Sequence, residues 1–281
     1  MARVGSAGWV ITMLAATAVS QFHRAALGVV APELAHDLAA SPQALGAANF
    51  SFFLAFVVSQ IPIGVAFDRV GPRVVVSCLT VLAVMGAVGQ SFAADRAQLA
   101  AARFVLGLGC AASFMASVVV SARWYSGPRL TGALARVFAL SQLGILAAGS
   151  PLGFASVYLG WRGAFAASAV LTAAMGVAWH VMVRDDPPGV PPPCGPRESL
   201  GQAVLGQLRI WRTPGPLPIL SMHTFGYPAM ATVLSLWAGP YLADVHHLGT
   251  EGRGWVLLAL ALALAAGMAG YLFSQDAPPR G

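Results

Sequence analysis

Residues 44–73 read ALGAANFSFFLAFVVSQIPIGVAFDRVGPR. The run over 44–66 carries no charged side chain. As a helix it is roughly 35 Å long at 1.5 Å per residue, more than the ~30 Å hydrocarbon core of a bilayer. It ends at Asp68 and Arg69, turns at Gly71-Pro72, and a second apolar run opens at 74. The stretch therefore reads as two membrane helices joined by a short charged turn. Strand alternation is absent, and an open sheet cannot span lipid because its edge groups would stay unpaired.

Working outward, the same pattern recurs along the chain. Apolar runs are expected to span the membrane at about 8–30, 44–66, 74–93, 98–120, 134–157, 163–183, 216–242 and 254–273. The connections 67–73, 94–97 and 158–162 are short, so consecutive helices must be antiparallel neighbours. Composition agrees: 57% of the 281 residues are hydrophobic and 9% are charged, against roughly 25% charged in soluble domains, and mean hydropathy is +0.72. The expected fold class is an all-α membrane protein, a helical bundle of about eight spans. The N-terminal run continues past His23 and Arg24 to Val30, so it reads as an uncleaved first helix rather than a signal peptide.

The basic residues are 16 Arg and no Lys. A P-loop needs a Lys on the nucleotide phosphates, so ATP-driven chemistry of that kind is excluded, as is Schiff-base catalysis. Arg3, Arg69, Arg73, Arg123, Arg129, Arg136, Arg184, Arg197, Arg209, Arg212 and Arg280 fall on one side of the alternating connections; Arg96, Arg162 and Arg253 fall on the other. The positive-inside rule makes the Arg-rich side cytoplasmic, with both termini inside. The pI near 9.9 is explained by this bias, and no nucleic-acid partner is expected.

The segment 184–215 interrupts the pattern. Its PPGVPPP run favours an extended linker, and Glu198 to Trp211 is expected to form a short amphipathic helix at the membrane surface. The organisation is thus 1–183 as six helices, 184–215 as a cytoplasmic linker, 216–273 as two more helices, and 274–281 as a tail.

GVAFDRVGPR, from Gly64 to Arg73, resembles the signature between the second and third helices of the major facilitator superfamily, G-x-x-x-D-R-x-G-x-R/K. Gly64, Asp68, Arg69, Gly71 and Arg73 match it. RFVLGLG, Arg103 to Gly109, is similar to the family's fourth-helix pattern of Arg followed by spaced Gly. LGILAAGSPLGFA, Leu143 to Ala155, is only loosely similar to the Gly-Pro motif of the drug/proton antiporter branch: Ser150 precedes Pro151 and Phe154 follows Gly153. That branch is not assigned. The resemblance implies a secondary transporter working by alternating access, in a bacterial inner membrane. It also implies that the Gly64–Arg73 motif gates the conformational change, with Asp68 latching the two halves. Read directly, Gly64 allows close helix approach, Gly71 allows positive φ, and Asp68 caps a helix or pairs with Arg. The family has twelve helices, so this chain is expected to be a truncated product after the eighth. The alternative expectation is a non-transporting membrane fragment or sensor.

Ionisable groups at bilayer depth cost about 2.5–3.5 kcal/mol on insertion scales and mark function by default. Arg24 and Arg103 qualify, and both are expected at similar depth. The resemblance puts the first and fourth helices on the central cavity, so both Arg can face it. Acidic residues are nearly absent from the spans, so the expected solute is a small organic anion held by Arg. The competing reading has Arg24 and Arg103 reaching the outer interface or pairing with Glu33, Asp37 or Asp95. His23 is about 100° from Arg24 on a helix; it is either a proton carrier or a packed, hydrogen-bonded His. Gln60 is either a polar contact at the cavity wall or a packing residue. If a proton or ion is coupled to transport, its carrier carboxylate is not evident. Asn49-Phe-Ser51 fits a glycosylation pattern at the edge of a span and is discounted. His223, His246, His247 and the three Cys show no metal-ligand spacing. No catalytic set is present, and no enzyme activity, cofactor or metal is expected.

Overall fold

The computed structural model describes residues 6–189, 199–212 and 217–226, with positions 215, 229, 241–242, 245–247, 256, 259 and 263. The chain divides into two compact units, Met1–Leu200 and Gly201–Gly281. All regular structure among the described residues is helical.

The first unit contains α1 (Ser6–Val29), α2 (Ala31–Asp37), α3 (Pro42–Val70), α4 (Pro72–Ser91), α5 (Arg96–Cys110), α6 (Ser113–Trp124), α7 (Gly127–Ser141) and α8 (Leu143–Met182). Helix starts follow local chemistry. Ser41 accepts from Ala44 N–H at 3.3 Å ahead of Pro42. Asp95 accepts from Ala97 and Gln98 N–H at 2.8 and 2.9 Å, covering donors that the first turn leaves open. Five stretches are long and apolar enough to cross a membrane: Pro42–Val70, Pro72–Ser91, Arg96–Trp124, Gly127–Ala148 and Pro151–Met182. α1, with 24 residues, adds roughly 36 Å of helix.

Contacts fix how these rods run. α4 and α5 are antiparallel, because Gly89 meets Ala102, Gly86 meets Leu106 and Gly109 meets Ala83. α3 and α5 are parallel, with Asn49 against Arg103 and Phe52 against Gly107. Gly144 lies on Ala18 and Gly153 near Val29, so the first arm of α8 runs parallel to α1. The second arm runs back, with Thr172 at His23 and Met182 at Thr12. The reversal sits at Gly160, with φ 68° and ψ 166°, a backbone region open to glycine. The expected loop 158–162 is therefore a single-residue break between two helical arms.

Close approach is supplied by Gly86, Gly107, Gly109 and Gly144, where a Cβ would strike the backbone of a neighbouring helix. Such contacts matter in lipid, where van der Waals packing and not water exclusion holds helices together. Gly64, expected to serve this purpose, has no described neighbour within 4 Å of where a Cβ would sit, and the close approaches among the described residues are those of Gly86, Gly107, Gly109 and Gly144.

Two large apolar clusters sit at opposite ends of the unit. One includes Trp9, Met13, Phe67, Val76 and Trp179; the other includes Phe22, Leu34, Leu99, Trp161 and Phe165. Polar residues lie between them.

In the second unit, α9 (Leu200–Trp211) occupies the stretch expected to be a short helix. α10 (Leu217–Ser221) and a π-helical turn, Met222–Gly226, follow. The span expected over 216–242 is described only at 217–226, 229 and 241–242, and the one over 254–273 only at 256, 259 and 263, while 190–198 of the linker and the 274–281 tail lie outside the described residues.

Candidate functional site

Arg103 on α5 is buried without exposed surface. Its Nη1 donates to the His23 carbonyl at 2.8 Å and its Nη2 to Asn49 Oδ1 at 2.7 Å. The guanidinium lies 4.5 Å from the centroid of the Phe52 ring, a cation–π geometry. Arg103 Nε makes no hydrogen bond. No ion pair to Arg103 exists among the described residues. A buried cation is normally paired; among the described residues it is held by a carbonyl, an amide and a ring.

His23 is also fully buried. Its Nε2 is 2.8 Å from Thr172 Oγ1. Thr172 spends its own hydroxyl proton on the Ser168 carbonyl at 2.7 Å. The threonine oxygen must therefore accept, and His23 donates from Nε2–H. Nδ1 makes no hydrogen bond.

Arg24 points elsewhere. Its guanidinium carbon is 4.9 Å from the Phe56 ring and 5.7 Å from the Phe53 ring, both on α3. Phe53, Phe56 and Gln60 follow at i, i+3 and i+7, along one face of α3. Gln60 Nε2 donates to the carbonyls of Phe56 and Ala111 at 3.2 and 3.4 Å. Arg24 and Gln60 are half-buried.

The sequence reading placed Arg24, Arg103, His23 and Gln60 together as solute contacts. The structure brings all four to one unit and puts Arg103 at the level of His23, but divides them by direction. Arg103 and His23 face inward among α1, α3, α5 and α8, while Arg24 and Gln60 line the α3 face. Among the described residues Arg103 makes no ion pair with Glu33, Asp37 or Asp95. Asp37 instead accepts from Trp161 Nε1 at 2.8 Å and Arg162 Nη1 at 3.2 Å. Those bonds, Trp161's first, hold its carboxyl below the usual range. Asp95 caps α5.

Two residues at this level were passed over. Asn49 was discounted as a glycosylation pattern, yet it is the side-chain partner of Arg103. An amide inside an apolar run was the available signal. Thr172 gave none, because hydroxyls in apolar helices are usually satisfied by their own backbone.

The gating motif occupies one end of the first unit. Gly71 has φ +86°, as expected of it. A Cβ there would strike the Asp185 carboxylate. Asp185 Oδ1 accepts from Arg73 N–H at 2.7 Å, so it caps α4 from the segment that follows α8. Burial raises the Asp185 pKa, while the Arg73 N–H bond and Arg123 oppose the shift. Arg73 Nε donates to the His180 carbonyl at 2.7 Å. Nearby, Arg123 pairs with Asp186 at 3.4 Å, and Trp124 Nε1 donates to the Arg184 carbonyl at 3.1 Å. Asp68 is exposed and makes no hydrogen bond or ion pair within the described residues. Among the described residues the cap on α4 is supplied by Asp185, and Arg69 is exposed.

A bundle of long apolar helices with intramembrane Arg and a charged turn of this form defines a multi-pass membrane protein. The family model described as Major Facilitator Superfamily matches residues 13–276, and the chain belongs to that superfamily. It is 29% identical over 180 residues to the "Probable galactarate/D-glucarate transporter GudP" of Bacillus subtilis (strain 168), covering 60% of this chain and 39% of that protein. It is 30% identical over 145 residues to the "Nitrate/nitrite transporter NrtP" of Nostoc punctiforme, covering 47% and 28%. It is 20% identical over 283 residues to the "Hexuronate transporter" of Bacillus subtilis, covering 95% and 65%. The chain spans less than two thirds of the length of each of these relatives.

Proposed function

We propose that the protein is a secondary transporter for a small organic anion. The observation that carries this reading is Arg103: a fully buried cation whose partners among the described residues are neutral, on the α5 helix beside the α1 turn that holds His23 and Arg24. Uncompensated positive charge in a low-dielectric bundle attracts an anion. Relatives whose names specify sugar acids and nitrate support the same sign of charge. Arg24 and Gln60 contact the solute; Arg103 and His23 stand behind them, fixing α1 against α3 and α5 and supplying the field. The first unit works as the six-helix half 1–183, joined by the cytoplasmic linker 184–215 to the helices of 216–273. Alternating access moves the solute across a bacterial inner membrane, with both termini inside, the motif Gly64, Asp68, Arg69, Gly71 and Arg73 setting the balance of states, and a proton or ion supplying the drive.

The test is uptake of labelled glucarate, glucuronate and nitrate by the protein reconstituted in liposomes. Saturable uptake of at least one is expected, with neutral glucose excluded, and Arg24→Gln should raise KM at least tenfold, about 1.4 kcal/mol. Uptake of none of the three, or an unchanged KM in Arg24→Gln, overturns the reading.

A further inference from the structure

Between α4 and the second arm of α8 lies a groove of about 410 Å³. Its floor is Thr80, Ala173 and Gly176, and its walls include Val81, Val177 and Val181. Those three valines are 59%, 65% and 69% exposed, so the groove opens on the outside of the first unit. In a membrane protein that outer surface meets hydrocarbon.

One end is polar. Ser77 and His180 line it, joined ring to hydroxyl at 3.0 Å. Ser77 already donates to the Arg73 carbonyl at 2.7 Å. The Arg73 Nε bond to the His180 carbonyl holds the guanidinium at this mouth. Of the nearest acids, Asp185 accepts from the Arg73 backbone and also feels the charge of its guanidinium, and Asp186 pairs with Arg123. No described carboxylate makes an ion pair with the Arg73 guanidinium.

Length selects the occupant. From Arg73 to Val84, at the groove's far end, α4 rises roughly 16 Å, about one leaflet of a ~30 Å core. An apolar trough one leaflet deep, with a cation at the interface end, matches an acyl chain below an anionic headgroup. A second copy of the chain would cover the valines but bring no phosphate to Arg73, whose neighbouring carboxylate, Asp185, makes no ion pair with it among the described residues.

We propose that this groove binds one anionic phospholipid of the surrounding bilayer, its acyl chain along Val81, Val84, Ala173 and Val177 and its phosphate on Arg73. The site is separate from the Arg24 level; Arg73 also belongs to the gating motif of the proposed function, so the test reads retained lipid and not transport.

The protein is reconstituted in vesicles of equal phosphatidylglycerol and phosphatidylcholine, extracted in mild detergent, and its retained lipid counted by native mass spectrometry. One retained phosphatidylglycerol is expected, in preference to phosphatidylcholine. Arg73→Gln should lower that retention about fivefold, the effect of one basic residue at a lipid surface, and Arg73→Lys should restore most of it. Ala173→Leu, which fills the floor, should remove retention of both lipids. If Ala173→Leu does not fold, Val177→Trp at an exposed wall replaces it. Brominated phosphatidylglycerol should then quench the added fluorescence more than brominated phosphatidylcholine, and Arg73→Gln should abolish the difference. Equal retention of the two lipids by the unaltered protein, unchanged retention in Arg73→Gln, or a dimer that Ala173→Leu dissociates overturns the proposal.

Discussion

The level of Arg103 and the two ends of the first unit handle positive charge in opposite ways. At the ends, cations meet carboxylates: Arg123 faces Asp186 and Arg162 faces Asp37, with the side chains partly exposed. In the middle, Arg103 has no exposed surface and meets Asn49, a carbonyl and the Phe52 ring. Dielectric accounts for the cost side. A carboxylate near water loses little hydration, whereas one in the bundle loses several kcal/mol and needs excellent geometry to recover it. It does not account for keeping an unpaired cation there. Asn49 satisfies the hydrogen bond without cancelling the charge, which under the proposed function leaves the field available to a solute anion.

The largest expected effect comes from erasing that contrast. Asn49→Asp places an end-type ion pair on Arg103 Nη2. One added negative charge ~8 Å from a bound anion at an effective dielectric of ~20 costs about 2 kcal/mol, more than tenfold in affinity. Anion uptake should fall by at least that factor, while the thermal midpoint in detergent stays level or rises. Unchanged uptake in Asn49→Asp would break the comparison, because the middle charge would then have no part in binding.

The contrast was only partly legible beforehand. The apolar runs announced the five stretches that are long and apolar enough to cross a membrane, since length and hydropathy suffice to mark them. They could not say which face of each helix points inward, because lipid is as apolar as the packed interior and no polar stripe marks the boundary. That is why Arg103 was expected beside Arg24 on one surface, although it faces the His23 carbonyl and Asn49 while Arg24 lies on Phe53 and Phe56. Breaks at Ala111-Ala112 and Gln142 interrupt apolar runs without a proline or charge to signal them. Asp185 sat in a segment read as linker. Its cap on α4 joins residues 112 apart in sequence, a distance over which no local pattern carries information.

A smaller effect sharpens the Arg73 end. Asp185→Ala removes the acceptor of the Arg73 N–H and should cost about 1 kcal/mol, a typical helix-cap loss. Asp185→Asn keeps an acceptor of the same shape and should cost less than half of that. Thermal unfolding of both variants decides between hydrogen bond and charge. Equal losses would mean that the carboxylate's charge, as at the Arg123–Asp186 pair, is what this end requires.

The smallest effect compares the two ends with each other by pH. Asp37 has a folded pKa below the ordinary carboxylate value, chiefly through the Trp161 hydrogen bond and then His36 and Arg162. Its contribution to stability is therefore present above the unfolded pKa of about 3.9 and disappears as pH falls through the lower folded value. Asp185 is raised by burial. Its contribution has the reverse sign: it is fully present below the unfolded pKa and is lost as pH rises through the folded value. A titration of the thermal midpoint from pH 7 to pH 3 separates them. Asp37→Asn should flatten the fall on the acid side, while Asp185→Asn should steepen it by removing the one carboxyl of the two that gains from acid. The same slope in both variants would show that the two ends are electrostatically alike, and that only the Arg103 level differs.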